Sequence, residues 1–353
     1  MRGVRGSLKR KLAAVVVFAV LLGACAAPDR GLYEQGPEAF AIEHEVVPIP
    51  LAGEITRREA EISGLAWCGD DLVLLPQYPE RFSFSDQGVL FVIPRDKILS
   101  YLAGQTREAI KPGRVPLVAP GLSRRIPGWE GFEAIAFDGG KVYLTIEARS
   151  GGGMTSYLVT GRVASQGRAL VLDTESLVEV RSGPDIPNMG EEALLVCKDR
   201  ILSIYEANGM EINREPTARV FDRRGRPQGE LPLTHLEYRI TDATDADAEG
   251  RFWVMNFFFP GDKSKLRPAR DRLRRLHGIG KTHSRREAVE RIVELRIRGS
   301  RVELTERPPV QMELAVDRRP RNWEGLVKLA PHGFLAATDK YPSTILAFIP
   351  AEL

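Results

Sequence analysis

The chain has 353 residues, 43% of them apolar and 27% charged, with a formal net charge of +3. That length and apolar content allow a large buried core, arranged as two domains or as one repeat-built domain. Five basic residues (Arg2, Arg5, Lys9, Arg10, Lys11) stand before residue 25, so the remainder carries 50 − 5 = 45 Lys and Arg against 47 acidic residues, about −2 net, which excludes a generally basic chain.

The basic start runs into the apolar stretch Leu12 to Leu22, the layout of a secretory signal and too short for a comfortable membrane span. It ends in "LGAC", which resembles the bacterial lipobox. The resemblance implies a signal peptide over 1–24, a lipidated Cys25 and a tether over 25–40; plain secretion is the alternative. Ala26 stands where an aspartate would retain the protein at the inner membrane, similar to the outer-membrane sorting signal of Gram-negative lipoproteins. The expectation is an exported protein held on the cell envelope, on the periplasmic side of the outer membrane, because more than one acyl chain anchors stably. Cys68 and Cys197 remain in an oxidising compartment. They occupy equivalent places in separate repeats, which predicts two buried, unpaired thiols.

From residue 41 a pattern recurs in chain order: "ISGLAWCGDDLVLLPQ" from Ile62, "EGFEAIAFDGGKVYLTIEA" from Glu130, "EEALLVCKDRILSIYE" from Glu191, "TDATDADAEGRFWVMN" from Thr241 and "WEGLVKLAPHGFLAATD" from Trp323. Each reads as an apolar strand, a turn rich in Gly or Asp and a second strand of aliphatic and aromatic residues. A polar residue opens each unit (Ser63, Glu133, Glu192, Asp242, Glu324), and another closes it 14 residues later, or 15 in the last (Gln77, Glu147, Glu206, Asn256, Asp339).

Successive units start 70, 59, 50 and 82 residues apart, which leaves room for another strand pair in each. Candidates are "SYLVTGRVASQGRALVL", "ARVFDRRGRPQGELPL" and "ERIVELRIRGSRVEL", and "RDKILSYLAGQ" reads as a short helix. Repeated four-stranded sheets of this size describe an all-β fold, a five-bladed β-propeller over 41–353. Six blades stay open if the long first unit hides a divergent one. The last unit lacks an outer strand, and "AIEHEVVPIPL" near the N-terminus has no hairpin of its own, so the N-terminal strand is expected to complete the last blade.

In a propeller the first strand of each blade lines the axis. Ser63, Glu133, Glu192, Asp242 and Glu324 are therefore expected at one channel mouth, backed by Gln77, Glu147, Glu206, Asn256 and Asp339. Carboxylates about 8 Å apart repel by about 2 kcal/mol per pair at an effective dielectric near 20, so something must offset them. Protonation is one solution. Hard oxygens converging on one point also suit Ca²⁺, and no thiolate or imidazole joins the ring. The expected cofactor is calcium, with a hydrated polar channel as the alternative.

A ring running Ser, Glu, Glu, Asp, Glu resembles that of the calcium-activated nucleotidase (apyrase) family, as do "ISGLAWCGDDLVLL" and "DAEGRFWVMNFFFP" in character; Asp242 departs from that ring. "EGFEAIAF" and "NWEGLVKL" with "GFLAATDKYPS" resemble the phytase-like or esterase-like propellers of bacteria. The resemblance covers the five hairpins and implies a propeller with a central calcium acting on phosphate-bearing substrates.

Residues 263–291 hold eleven Lys and Arg. This insertion follows Asn256, so it is expected at the ring's mouth, with Arg267, Arg270, Arg274 and Arg275 placed to grip phosphate. A solvated surface or one facing anionic lipid is the alternative. Its "GIGKT" lacks the first glycine and the preceding strand of a phosphate loop. "RSGGGMTSY" reads as a loop at the same mouth. The histidines lack zinc spacing, no GxSxG elbow occurs, and without interleaved aromatics the basic stretch is no nucleic-acid site. The expected function is a monomeric, calcium-dependent hydrolase of phosphoesters or phosphoanhydrides, with Glu147, Glu206 or Asp339 as general base. The alternative is a non-catalytic scaffold that binds a cell-envelope partner and uses calcium structurally.

Overall fold

The computed structural model describes residues 40–83, 87–151, 153–164, 169–180, 183–315 and 319–353. Residues 1–39, on which the expected signal peptide, lipidated Cys25 and most of the expected tether fall, lie outside the described residues. Two short strands come first, β1 (Glu43–His44) and β2 (Val47–Ile49). Blade one is β3 (Ile62–Cys68), β4 (Asp71–Pro76), β5 (Gly88–Pro94) and β6 (Gly113–Val118); blade two is β7 (Trp129–Asp138), β8 (Lys141–Ser150), β9 (Gly153–Ala164) and β10 (Ala169–Val180). Blade three is β11 (Glu191–Cys197), β12 (Arg200–Tyr205), β13 (Thr217–Asp222) and β14 (Pro227–Pro232). Blade four holds β15 (Arg239–Ala243), β16 (Arg251–Phe258), β17 (Val289–Arg298), β18 (Arg301–Leu304) and β19 (Val310–Met312), and blade five β20 (Trp323–Leu329), β21 (Gly333–Thr338) and β22 (Leu346–Pro350).

Within each blade neighbouring strands pair antiparallel, and the inner strands β3, β7, β11, β15 and β20 adjoin one another in a closed circuit back to β3. Five blades result, and the long first unit holds no sixth. Its extra residues form the expected helix, α1 (Arg95–Leu102). The ring closes as the sequence implies, with β2 as the outer strand of blade five, Val47 opposite Phe348 and Ile49 opposite Leu346. β1 continues onto blade four, pairing in parallel with β19. The N-terminal segment therefore straps two blades together.

The strands read as near-continuous apolar runs because each blade is covered on both faces. Successive side chains point to opposite faces of a sheet. In β11, Ala193, Leu195 and Cys197 pack toward blade four while Leu194 packs toward blade two. Five such apolar layers lie between consecutive blades, and the one between blades five and one includes Ile49. Every described strand lies within 40–353, which forms one compact unit and carries the whole propeller.

Cys68 and Cys197 are both free; Cys197 is buried, whereas Cys68 is half-exposed rather than buried. Where a loop is expected at "RSGGGMTSY", β8 runs through Ser150 and β9 starts at Gly153, and these two residues face each other. Blades one and two are fused at their outer edges, where β6 and β10 pair in parallel and Leu117 faces Leu170.

Ile49 tests the closure, being 2% exposed within the seam between the last and first blades. Ile49→Ala is expected to cost about 2–5 kcal/mol in urea-induced unfolding. A chain beginning after residue 51 should lose cooperative unfolding, because blade five is left with an open edge.

Candidate functional site in the channel mouth

Each hairpin carries an irregularity near the start of its inner strand, and it decides where the polar residues point. In blade two Phe132 pairs with Ile146 and Ala134 with Thr145, so Glu133 is the extra residue of a bulge. Ser63, Glu192 and Glu324 hold the same place in blades one, three and five. A bulged residue leaves the ladder and its side chain is re-aimed. These four turn into a cavity of about 310 Å³ at one mouth of the channel, together with Gln77, Glu147, Asp339, Glu61, Lys340 and Asn322.

Blade four departs from the pattern. Ile240 pairs with Asn256 and Asp242 with Met255, so the bulge falls one residue earlier, on Thr241. The Thr241 hydroxyl donates to the Trp323 carbonyl oxygen at 2.6 Å. Asp242 does not line the mouth cavity, contrary to expectation. Its Oδ2 accepts the backbone N–H of Leu326 at 2.7 Å and of Leu65 at 3.4 Å, and Oδ1 that of Ala243 at 2.8 Å. One carboxylate thus joins the inner strands of blades one, four and five. Beyond it a smaller cavity of about 100 Å³ is lined by residues of all five inner strands, among them Ala66, Ala136, Leu194, Ala243 and Val327.

The mouth's charge balance rests on Arg239, a residue the hairpin pattern did not single out. Its Nη2 lies 3.0 Å from Glu324 Oε1 and 3.5 Å from Glu192 Oε2, it is ion-paired with Glu206, and Nη1 donates to Asn322 Oδ1 at 2.9 Å. Asn256 does not reach the cavity; its side-chain amide donates to the carbonyls of Glu237 and Arg239 and so braces the arginine from behind. Glu206 is fully buried against Arg239 and absent from the cavity wall, which removes it as a base that could meet water. The available signal was the arginine itself, which opens the inner strand Arg239–Ala243 and is the one arginine among the five inner strands.

The opposite side of the mouth lacks such a partner. Glu133 accepts from Gln77 Nε2 at 2.9 Å, and Glu147 Oε1 is buried without a hydrogen-bond donor. Burial raises the pKa of Glu133 well above the carboxylate range, and the charges of Glu147 and Glu192 add to it. Burial, with Glu192 and Glu130, pushes Glu147 up to about 8. Burial raises both Glu192 and Glu324, the charge of Glu192 adds to the rise at Glu324, and Arg239 opposes it at both. Burial likewise raises Asp339. Burial works against the charge on Arg239, but Glu324 and Glu192 outweigh it and its pKa is raised. Glu147 is therefore mostly protonated at neutral pH, and Glu133, Glu192, Glu324 and Asp339 are shifted in the same direction.

The five-residue ring does not fit a metal as drawn from the sequence, since Asp242 spends its oxygens on backbone N–H groups and Arg239 already neutralises one side. Among the described residues no three His, Cys, Asp or Glu side chains are arranged to hold a metal ion. The donor chemistry of the other side does fit a hard cation: Glu133 and Glu147 are oxygen donors there, Glu192 stands between them and Arg239, and Glu147 Oε1 is buried without a hydrogen-bond donor.

The basic insertion packs against blade four as α2 (Lys263–Leu266) and α3 (Arg272–His277), with Asp271 capping α3 and ion-paired to Arg291. Arg267, Arg270, Arg274 and Arg275 do not line the mouth cavity; Arg267 reaches the Glu211 carbonyl, and Arg274 lines a separate cleft beside Tyr238 and His283. Lys265 comes nearest the mouth: its charge acts on Glu147 and Glu192, and burial lowers its own pKa.

No family model matches the chain, and no curated protein matches it. Among solved structures it is similar to an exo-1,5-α-L-arabinanase from a bovine ruminal metagenomic library, at 13% identity and a TM-score of 0.44, over 85% of this chain and 95% of that one. A mutant α-L-arabinanase of Cellvibrio cellulosa matches at 10% identity and 0.43, over 87% and 92%. A structure from the GH130 family of mannoside phosphorylases matches at 10% identity and 0.45, over 90% and 97%. Likeness at this level carries no inference about activity; the propeller rests on strand pairing, and the resemblance to nucleotidases and phytase-like proteins on sequence patterns alone.

Two outcomes follow from the charge balance. Arg239→Met should cost about 3–5 kcal/mol in denaturant unfolding, because Glu192, Glu206 and Glu324 lose their buried counter-charge, and adding Glu324→Gln should recover part of the loss. Glu147 binds a proton more tightly folded (about 8) than unfolded (4.5), so its stabilising contribution is complete below pH 4.5 and is lost as pH rises through about 8. The cation-free melting temperature should accordingly be higher at pH 5.5 than at pH 8.5, and Glu147→Gln should flatten that slope.

Proposed function

We propose that the channel mouth binds a divalent cation, calcium by the hardness of its donors, and serves a hydrolase acting on phosphate-bearing small molecules. The observation that carries this reading is Glu147 Oε1, buried without a hydrogen-bond donor beside Glu133, on the side of the mouth that Arg239 does not neutralise. Glu133, Glu147 and Glu192, with the hydroxyl of Ser63, would hold the ion, which when bound supplies polarisation of a phosphoryl oxygen. Once ionised to hold the cation, Glu147 has no proton to give and serves as a ligand rather than as general acid or base. Asp339, half-buried in the cavity wall, is the better candidate base; its Oδ1 accepts the Tyr341 N–H at 2.7 Å and its position is thereby fixed. Lys340 in the wall and Lys265 beside it take the phosphate-facing role expected of the insertion's arginines. The exported, lipid-anchored setting expected from residues 1–25 belongs to the same proposal.

A second reading is a non-catalytic propeller of the cell envelope. The internal neutralisation of Glu192, Glu206 and Glu324 by Arg239 favours it, since those groups then serve cohesion.

Calorimetric titration with calcium, in buffers of different ionisation enthalpy, separates the readings when joined to a phosphate-release panel of nucleotides, pyrophosphate and inositol phosphates. Calcium binding at pH 7 should release protons and tighten as pH rises toward 8, because the carboxyls must ionise to coordinate. Glu147→Gln should weaken binding at least tenfold and abolish phosphate release. Heat without turnover would favour the second reading. Absence of calcium binding, or turnover of glycosides in place of phosphoesters, would overturn the first.

A further inference from the structure

The N-terminal strap and the basic insertion meet on the mouth side of blade four. The Ala41 N–H donates to the Ile279 carbonyl at 3.0 Å, and Ala41 bridges Gly280 in parallel. The residues flanking it, Phe40 and Ile42, are 55% and 80% exposed, and Leu276, close by at the end of α3, is 54% exposed. Large apolar side chains this open are few among the described residues, and three gather here. Around them Arg270, Arg272, Arg274, Arg275, Lys281 and Arg285 are exposed and have no acidic partner among the described residues. Leu273 faces inward from α3, so Arg272, Arg275 and Leu276, at i, i+3 and i+4, share its outer side.

We propose that this surface is a docking face for an anionic lipid bilayer. Apolar side chains enter the headgroup boundary while surrounding Arg and Lys pair with negative headgroups, the combination that holds interfacial helices on membranes. A soluble acidic protein would match the charge but leave Ile42 and Leu276 without an apolar phase. Position argues for lipid as well: Phe40 lies only fifteen positions after Cys25, a span of at most about 50 Å when fully extended. If Cys25 carries lipid, the face works at close quarters with the bilayer and turns the channel mouth toward it. The inference does not depend on calcium or on hydrolysis.

The test is cosedimentation of the chain from Phe40 onward, which carries the complete propeller, with vesicles of phosphatidylglycerol and phosphatidylcholine against vesicles of phosphatidylcholine alone. Binding should be at least tenfold tighter to the anionic vesicles and fall with salt. Both Ile42→Ser with Leu276→Ser and Arg274→Glu with Arg275→Glu should weaken it at least tenfold, with unchanged circular dichroism. On the full lipidated chain in the same vesicles, backbone hydrogen exchange over residues 272–281 should slow relative to detergent. Equal binding to neutral vesicles, insensitivity to both variant pairs, or unchanged exchange over that segment would overturn the proposal. So would lipid-free self-association abolished by Ile42→Ser, which would assign the face to a second copy.

Discussion

Every blade buries both of its faces, and that constraint governs the rest of the molecule. A sheet with Leu194 on one side and Leu195 on the other cannot be satisfied by a single neighbour, so the array has to curve until its last member covers its first. The chain solves the resulting seam problem with its own beginning: Ile49 enters the layer between blades five and one, while Glu43 gathers the N–H groups of Thr282 and His283 in blade four's insertion. Closure by hydrogen bonds and apolar contact in one short segment makes the ring's integrity a property of residues far apart in sequence.

The same geometry creates the electrostatic problem at the axis. Bulges at equivalent points throw Glu133, Glu192 and Glu324 toward each other, and burial denies them water. The molecule answers in two ways at once. Arg239 neutralises one side, and backbone N–H groups from three blades hold Asp242. Glu133 and Glu147 are left with protonation alone, which is why that side is the chemically responsive one.

Hairpin spacing was enough to read the blade count, the N-terminal closure and the convergence of Ser63, Glu133, Glu192 and Glu324, because strand periodicity and repeat length are local properties. The shift of one bulge to Thr241 was not legible: the spacing from Asp242 to Asn256 matches the other units, and only the pairing of Asp242 with Met255 distinguishes it. Arg239 escaped notice because a search for recurring residues passes over the one that breaks the repeat. The arginines of the insertion were assigned to the mouth by proximity in sequence to Asn256, yet Leu266 and Leu273 are buried and draw the segment onto blade four instead. Cys68 shows the same limit in miniature, since equivalent repeat positions need not be equally covered.

The rims of blades one and two are joined by the parallel pairing of β6 with β10. Outer strands of propeller blades ordinarily present unpaired N–H and C=O groups, a template on which foreign chains can assemble. By pairing their rims with each other, the first two blades retire two such templates at the cost of a few residues, Leu117 and Val118 against Leu170 and Val171. They also become a single mechanical piece, an eight-stranded slab that cannot part along its own interface without breaking backbone bonds. Whatever breathing the ring permits is thereby displaced onto the remaining four joints, one of which, between blades four and five, the N-terminal segment spans with β1 and β2.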